Sequence, residues 1–271
     1  MIADMAVDLM SATVQLEQPI GNGTRTVATG FLISDPTPDG RPRVVLVTAD
    51  HVFEGMSGDE ATIGYRVQGP NGSWSFAPAK FPIRARGRPL WTRNPDRDVA
   101  AIVINAPPAF ARAAIPIGWL AGDDTLARYQ LAPGEEMMTL GFPQGLSANP
   151  AGFPILRSGR VASYPLGPSR AYPTFLLDFR VFPGNSGGPV WFDQEPAAPD
   201  GQAKRFIAGM LTQQVEKGDL NLGIGIVTQA QFIRDTLSLL DAPARPSQPV
   251  VQTASGYAAD TAGRDRSGEQ K

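Results

Sequence analysis

The chain contains no cysteine, which excludes disulfides, thiolate catalysis and Cys-ligated zinc. A chain of 271 residues can bury a sizeable core without disulfides, so their absence leaves the compartment open. No apolar run approaches the roughly 18–20 residues that span a bilayer, and no membrane span is expected. Strong charge of either sign is also missing: Lys and Arg number 24, Asp and Glu 26, for a formal net charge of −2. That balance points to neither a nucleic-acid nor a membrane partner. The densest basic cluster, Arg84, Arg86 and Arg88, is short and reads as a solvated strand edge or loop. The opening MIADMAVDLMSA carries acids where a signal peptide has a basic region and an apolar core. It predicts no export signal. The protein would be cytoplasmic if it starts here, periplasmic or secreted if a leader precedes it.

What is present is a soluble, globular composition, 42% hydrophobic and 18% charged. Glycine (29) and proline (26) are abundant, and no long stretch keeps a helical period before residue 228. Short runs rich in Val, Ile, Thr and Phe alternate with turn residues, which is an all-β signature. Strands are expected at 11–17, 25–33, 43–48, 61–67, 74–83 and 98–104. A second set is expected at 136–141, 156–164, 174–179, 188–192, 205–212 and 222–227. Pro38-Asp39-Gly40, Pro70-Asn71-Gly72 and Pro199-Asp200-Gly201 supply turns between neighbours. Two sets of six suggest two packed six-stranded antiparallel β-barrels, at about 10–105 and 135–228, joined by a linker at about 106–134. Residues 228–240 carry Phe232, Ile233, Leu237 and Leu240 on one helical face, which predicts a C-terminal helix closing a domain over 1–240. Residues 241–271 have too little apolar content to pack and are expected to be disordered.

Three segments carry chemistry. His51, the one histidine, ends the run Val44-Val45-Leu46-Val47-Thr48-Ala49-Asp50-His51. A strand thus delivers an imidazole to a turn, and a neutral imidazole is the usual general base near physiological pH. The second segment is Gly184-Asn185-Ser186-Gly187-Gly188-Pro189. Gly184 lets the backbone turn so that its N–H and that of Ser186 converge on one spot, a candidate oxyanion hole. Gly187 and Gly188 leave room for a substrate to approach the Ser186 hydroxyl. The third is Asp98, an acid opening the apolar run Val99–Ile104. A buried carboxylate is costly unless compensated, and orienting an imidazolium would compensate it. Asp96 competes for the same role.

These segments resemble the trypsin/chymotrypsin-like serine peptidases, especially the bacterial disulfide-free members related to the HtrA peptidases. Thr48-Ala49-Asp50-His51-Val52, Asp98-Val99-Ala100 and the 184–189 string are similar to that family's three motifs, in its order of His, Asp, Ser. Gly30-Phe31-Leu32-Ile33 and Gly225-Ile226-Val227-Thr228 extend the likeness over roughly residues 10–240. The resemblance implies a serine endopeptidase acting on polypeptide through an acyl-enzyme. His51, Asp98 and Ser186 would form the triad, with Gly184 and Ser186 N–H groups as oxyanion donors and no metal or organic cofactor. It leaves the oligomeric state unspecified.

The sequence departs from that family at several points. Asp50 stands where a small residue is usual, and would either raise the pKa of His51 or face solvent. Asn185 replaces the acid that pairs with a newly cleaved N-terminus, which argues against such activation. The residues after the helix are too few for a PDZ domain, so a stand-alone peptidase domain is expected. A peptidase fold retained only for binding is the competing reading; an esterase lacks its G-x-S-x-G elbow here. By the resemblance, Arg180, Thr212, Gln213, Gln214 and Gly225 surround the primary specificity pocket. If Arg180 points inward, an acidic or polar residue before the scissile bond is favoured. If it points outward, Phe179 or Val181 lines the pocket, and a small or medium apolar residue fits.

Overall fold

The structure is a computed structural model that describes residues 5–21, 23–194, 204–217 and 220–241. The tail expected to be disordered lies outside them apart from Asp241, as does the turn expected at Pro199-Asp200-Gly201. Helix α1 (Met5–Ala12) comes first and buries Met5, Leu9 and Ala12, an i, i+4, i+7 stripe. Six long strands follow: β1 (Thr13–Gly21), β2 (Thr24–Ser34), β3 (Val44–Thr48), β4 (Glu60–Gln68), β5 (Trp74–Pro82) and β9 (Ala100–Ile104). They match the six expected, and three short strands, β6 (Arg84–Ala85), β7 (Arg88–Pro89) and β8 (Thr92–Arg93), precede β9. Arg84 and Arg88 therefore lie on a two-stranded hairpin, with Arg86 at its tip in a left-handed conformation (φ 51°).

The hydrogen-bonded order of this first sheet is β5-β4-β1-β2-β3-β9-β8. Among the described residues its ladder does not run on from β5 to β8. Pro78 and Pro82 on β5 lack the N–H needed to extend pairing beyond that edge. In β3, Val45, Leu46 and Val47 are all buried, a continuous apolar run rather than an alternating one. Each such side chain contributes roughly 1.5–3 kcal/mol through burial, so truncating Leu46 to Ala would cost about 2–5 kcal/mol.

The segment expected as a linker is structured. It holds α3 (Pro108–Ala113), the short strand β10 (Ile115–Pro116) paired parallel to β2, and α4 (Asp123–Tyr129). These helices are too short for a periodic signal and draw their stability from packing. The second half is a closed barrel in the order β11-β12-β13-β16-β15-β14. Its strands are β11 (Glu136–Gly141), β12 (Ile155–Val161), β13 (Thr174–Asp178), β14 (Pro189–Gln194), β15 (Lys204–Lys217) and β16 (Leu220–Gln229). The expected C-terminal helix is α5 (Ala230–Leu239), which buries Phe232, Ile233 and Leu237.

Arg66 on β4 ties the halves together. It is 2% exposed and donates to the carbonyls of Ser11 and Thr13 at 2.8 Å, and to Gly152 in the second half at 3.1 Å. Its guanidinium also lies over the rings of Phe110 and Phe153. Burial without a carboxylate partner among the described residues pulls its pKa down to about 10.

Candidate active site

Strand pairing sets the first half of the site. Thr48 at the end of β3 stands opposite Ala100 at the start of β9. Three residues beyond Thr48, in the short helix α2 (Asp50–Gly55), comes His51; two residues before Ala100 comes Asp98. The ladder therefore ends with an imidazole and a carboxylate side by side. His51 Nδ1 lies 2.7 Å from Asp98 Oδ2, and the His51 backbone N–H donates to Asp98 Oδ1 at 3.0 Å. A carboxylate only accepts, so Nδ1 carries the proton and Nε2 is left free to take one. Asp96, the competing acid, is exposed in the preceding turn, where its backbone N–H donates to Asn94.

Burial lowers the His51 pKa, but the Asp98 hydrogen bond and the charges of Asp98, Asp50 and Glu54 outweigh it, and the net direction is upward. Asp50 does not face solvent. Its side chain is 14% exposed, the Trp91 Nε1–H donates to its Oδ1 at 2.7 Å, and Arg93 Nη2 lies 3.5 Å from its Oδ2. Burial raises the Asp50 pKa against the pull of Trp91 and Arg93.

The other half of the site is the loop between β13 and β14. Gly184 (φ 96°) and Gly187 (φ 90°) both occupy the left-handed region that other residues avoid. Space matters as well as φ. A Cβ at Gly184 would collide with the Phe142 carbonyl, and one at Gly187 with the Thr29 carbonyl. Thr29, fully buried on β2, grips this loop from the first half. Its N–H donates to the Ser186 carbonyl at 2.9 Å and its hydroxyl to the Gly184 carbonyl at 2.7 Å. The same hydroxyl accepts the Phe142 N–H at 3.1 Å, while Thr48 donates to the Thr29 carbonyl at 2.7 Å.

The Pro183 carbonyl accepts the Gln144 N–H at 2.6 Å. In a trans, planar peptide this turns the Gly184 N–H away from the 142–145 turn. Among the described residues neither the Gly184 nor the Ser186 N–H has a protein acceptor. The Ser186 hydroxyl donates to the Thr212 carbonyl at 3.2 Å rather than to the imidazole.

His51 and Ser186 line one cavity of about 300 Å³ together with Val181, Phe182, Thr212 and Gln214. The family model for the trypsin-like peptidase domain matches residues 28–196, which include all three candidate residues. The chain belongs to the trypsin-like peptidase family. Among solved structures it is similar to an HtrA-type protease, AlgW, with a tripeptide: 16% identity, TM-score 0.53, covering 88% of this chain and 64% of that one. It is also similar to the protease Anisep from Arthrobacter nicotinovorans: 14% identity, TM-score 0.52, covering 86% and 96% respectively. At such identities these likenesses show the chymotrypsin-like fold alone, and this chain spans under two thirds of the HtrA-type protease. No curated protein matches it significantly.

Of the residues expected around the peptidase pocket, Thr212, Gln213 and Gln214 line the cavity. Arg180 and Gly225 do not. Arg180 is exposed, with its guanidinium over the Phe182 ring. A Cβ at Gly225 would stand 2.7 Å from the Phe179 ring and 3.0 Å from Val181, so these side chains fill the space beside it. Thr29 and Gln144 escaped sequence reading because their contacts with the loop span about 40 to 155 positions. Only the folded approach of β2 and of the 142–145 turn to the loop reveals them.

Proposed function

We propose that this chain is a serine endopeptidase in which Ser186 attacks the peptide carbonyl and His51 and Asp98 complete the triad. His51 Nε2 takes the Ser186 hydroxyl proton as the Oγ–C bond forms, then gives it to the departing amine, leaving an acyl-enzyme that water hydrolyses in the reverse sense. Asp98 holds the tautomer and stabilises the imidazolium. The Gly184 and Ser186 N–H groups are free to receive the oxyanion. The observation that carries this reading is the double hold of Asp98 on His51, at 2.7 and 3.0 Å, with Ser186 lining the same cavity.

The substrate is a polypeptide. With Arg180 outside and Val181 lining the cavity, a small or medium apolar side chain suits the residue before the scissile bond. Among the described residues no carboxylate lines the cavity to receive Lys or Arg. Hydrolysis of a mixed peptide library by the purified protein, compared with Ser186→Ala and His51→Ala at matched purity, tests the reading. Turnover in the parent alone supports it, and substantial turnover in either variant contradicts it. One observation favours the alternative of a catalytically silent binding module: Ser186 Oγ donates to Thr212, so attack requires it to swing to His51. Catalytic hydrogen bonds are often loose before substrate binds.

A further inference from the structure

We propose that Asp50 is a positioning residue for His51: pinned by Trp91 and Arg93, its carboxylate fixes the start of α2 and sets the charge around the imidazole. This rests on the reading of His51 as the general base. Asp50 does not touch the ring; it acts as the covalent neighbour of His51 and through its field.

The anchor comes from outside the helix. Trp91 is 6% exposed and packs between Phe53, at 5.3 Å between ring centroids, and the Arg84 guanidinium, 5.0 Å from its ring. Arg84 in turn donates to the Phe53 and Gly58 carbonyls at 2.8 Å, fastening the hairpin to the end of α2. From this base the Trp91 Nε1–H reaches the Asp50 carboxylate at 2.7 Å. Arg93 adds its guanidinium, 3.5 Å from Asp50 and 2.8 Å from Glu54. The stretch that runs on to Asp98 thus also grips the residue next to His51.

A carboxylate this enclosed is costly unless compensated. If the role were only to receive the indole N–H, an uncharged amide would serve, since its oxygen accepts equally well. The charge is the part that needs a function. The charges acting on the imidazole are Asp98 from the segment before β9 and Asp50 and Glu54 from α2; Arg93 from β8 pairs with both α2 acids and offsets them. Removing the Asp50 charge and removing the Arg93 charge should therefore move the His51 titration in opposite directions.

Because His51 is the only histidine, its ring protons give one unambiguous NMR titration. That titration reads the imidazole whether or not the protein cleaves peptide, so failure of the peptidase reading and failure of this proposal are separable. The parent midpoint should lie above the ordinary 6.5. Asp50→Asn should lower it by about half a pH unit, the scale of one nearby, partly screened charge, while the Trp91 indole N–H signal keeps its position. Arg93→Gln should raise it, and this arm stands alone if Asp50→Asn does not fold. A midpoint unmoved by either change in folded protein, or moved the same way by both, overturns the proposal.

Discussion

Asp98 holds His51 at two points: one carboxylate oxygen meets the ring Nδ1 at 2.7 Å and the other receives the backbone N–H at 3.0 Å. The second contact fixes the helix start that carries the ring, so orientation does not depend on the side-chain bond alone. Asp98→Asn offers an amide N–H in place of one accepting oxygen and favours the wrong tautomer. We expect a fall in kcat on the order of 10⁴-fold, measured on any peptide the parent cleaves. Asp96→Asn should change kcat little, since Asp96 is exposed in the turn.

The pH dependence follows from the raised His51 pKa. The base must be neutral, so kcat/KM should rise through an acidic limb whose midpoint exceeds the ordinary 6.5. Stability runs the other way. A histidine whose folded pKa exceeds its unfolded value contributes stability fully present below about 6.5, lost as pH rises through the folded pKa. Parallel profiles of kcat/KM and of the urea midpoint should therefore slope oppositely across that window. Flat activity from about pH 5 to 8 would contradict the role of the imidazole.

Thr29→Val tests the grip of the first half on the nucleophile loop. Losing the hydroxyl leaves the buried Gly184 carbonyl and Phe142 N–H without their partner. Each stranded group costs about 1–3 kcal/mol. Denaturant unfolding should show a loss in that range or above. Because Gly184 is a proposed oxyanion donor, kcat should fall more than KM rises.

Much of this was readable in advance. All twelve long strands stand within a few residues of where alternation and turn residues put them. The 98–104 strand begins two residues late: Asp98 is taken up by His51 and the Val99 backbone by the 94–97 turn, so pairing starts at Ala100. Helices α1 to α4 were not anticipated, being six to eight residues each and held by tertiary contacts rather than propensity. Within the site, His51, Asp98 and Ser186 stand out because their local strings have few other uses. Thr29, Trp91 and Gln144 carry no such string. The direction of Arg180 was left open by the sequence; in the structure the residue is exposed, with its guanidinium over the Phe182 ring.

Specificity follows from that turn. A library varied at the residue before the scissile bond should give dominant cleavage after small or medium apolar residues. Enlarging Val181 to Phe should narrow the range toward the smallest of them. Dominant cleavage after Lys or Arg would refute the pocket as described, and dominant cleavage after Asp or Glu would mean that Arg180 turns inward with substrate bound.

The most direct test of the central claim is fluorophosphonate labelling read by intact-mass spectrometry, since the reagent modifies only a serine activated by its surroundings. The parent protein should gain one adduct, mapped by peptide digestion to Ser186. Ser186→Ala should gain none, and His51→Ala should react far more slowly. An unlabelled parent protein, or an adduct that survives Ser186→Ala, would contradict the account.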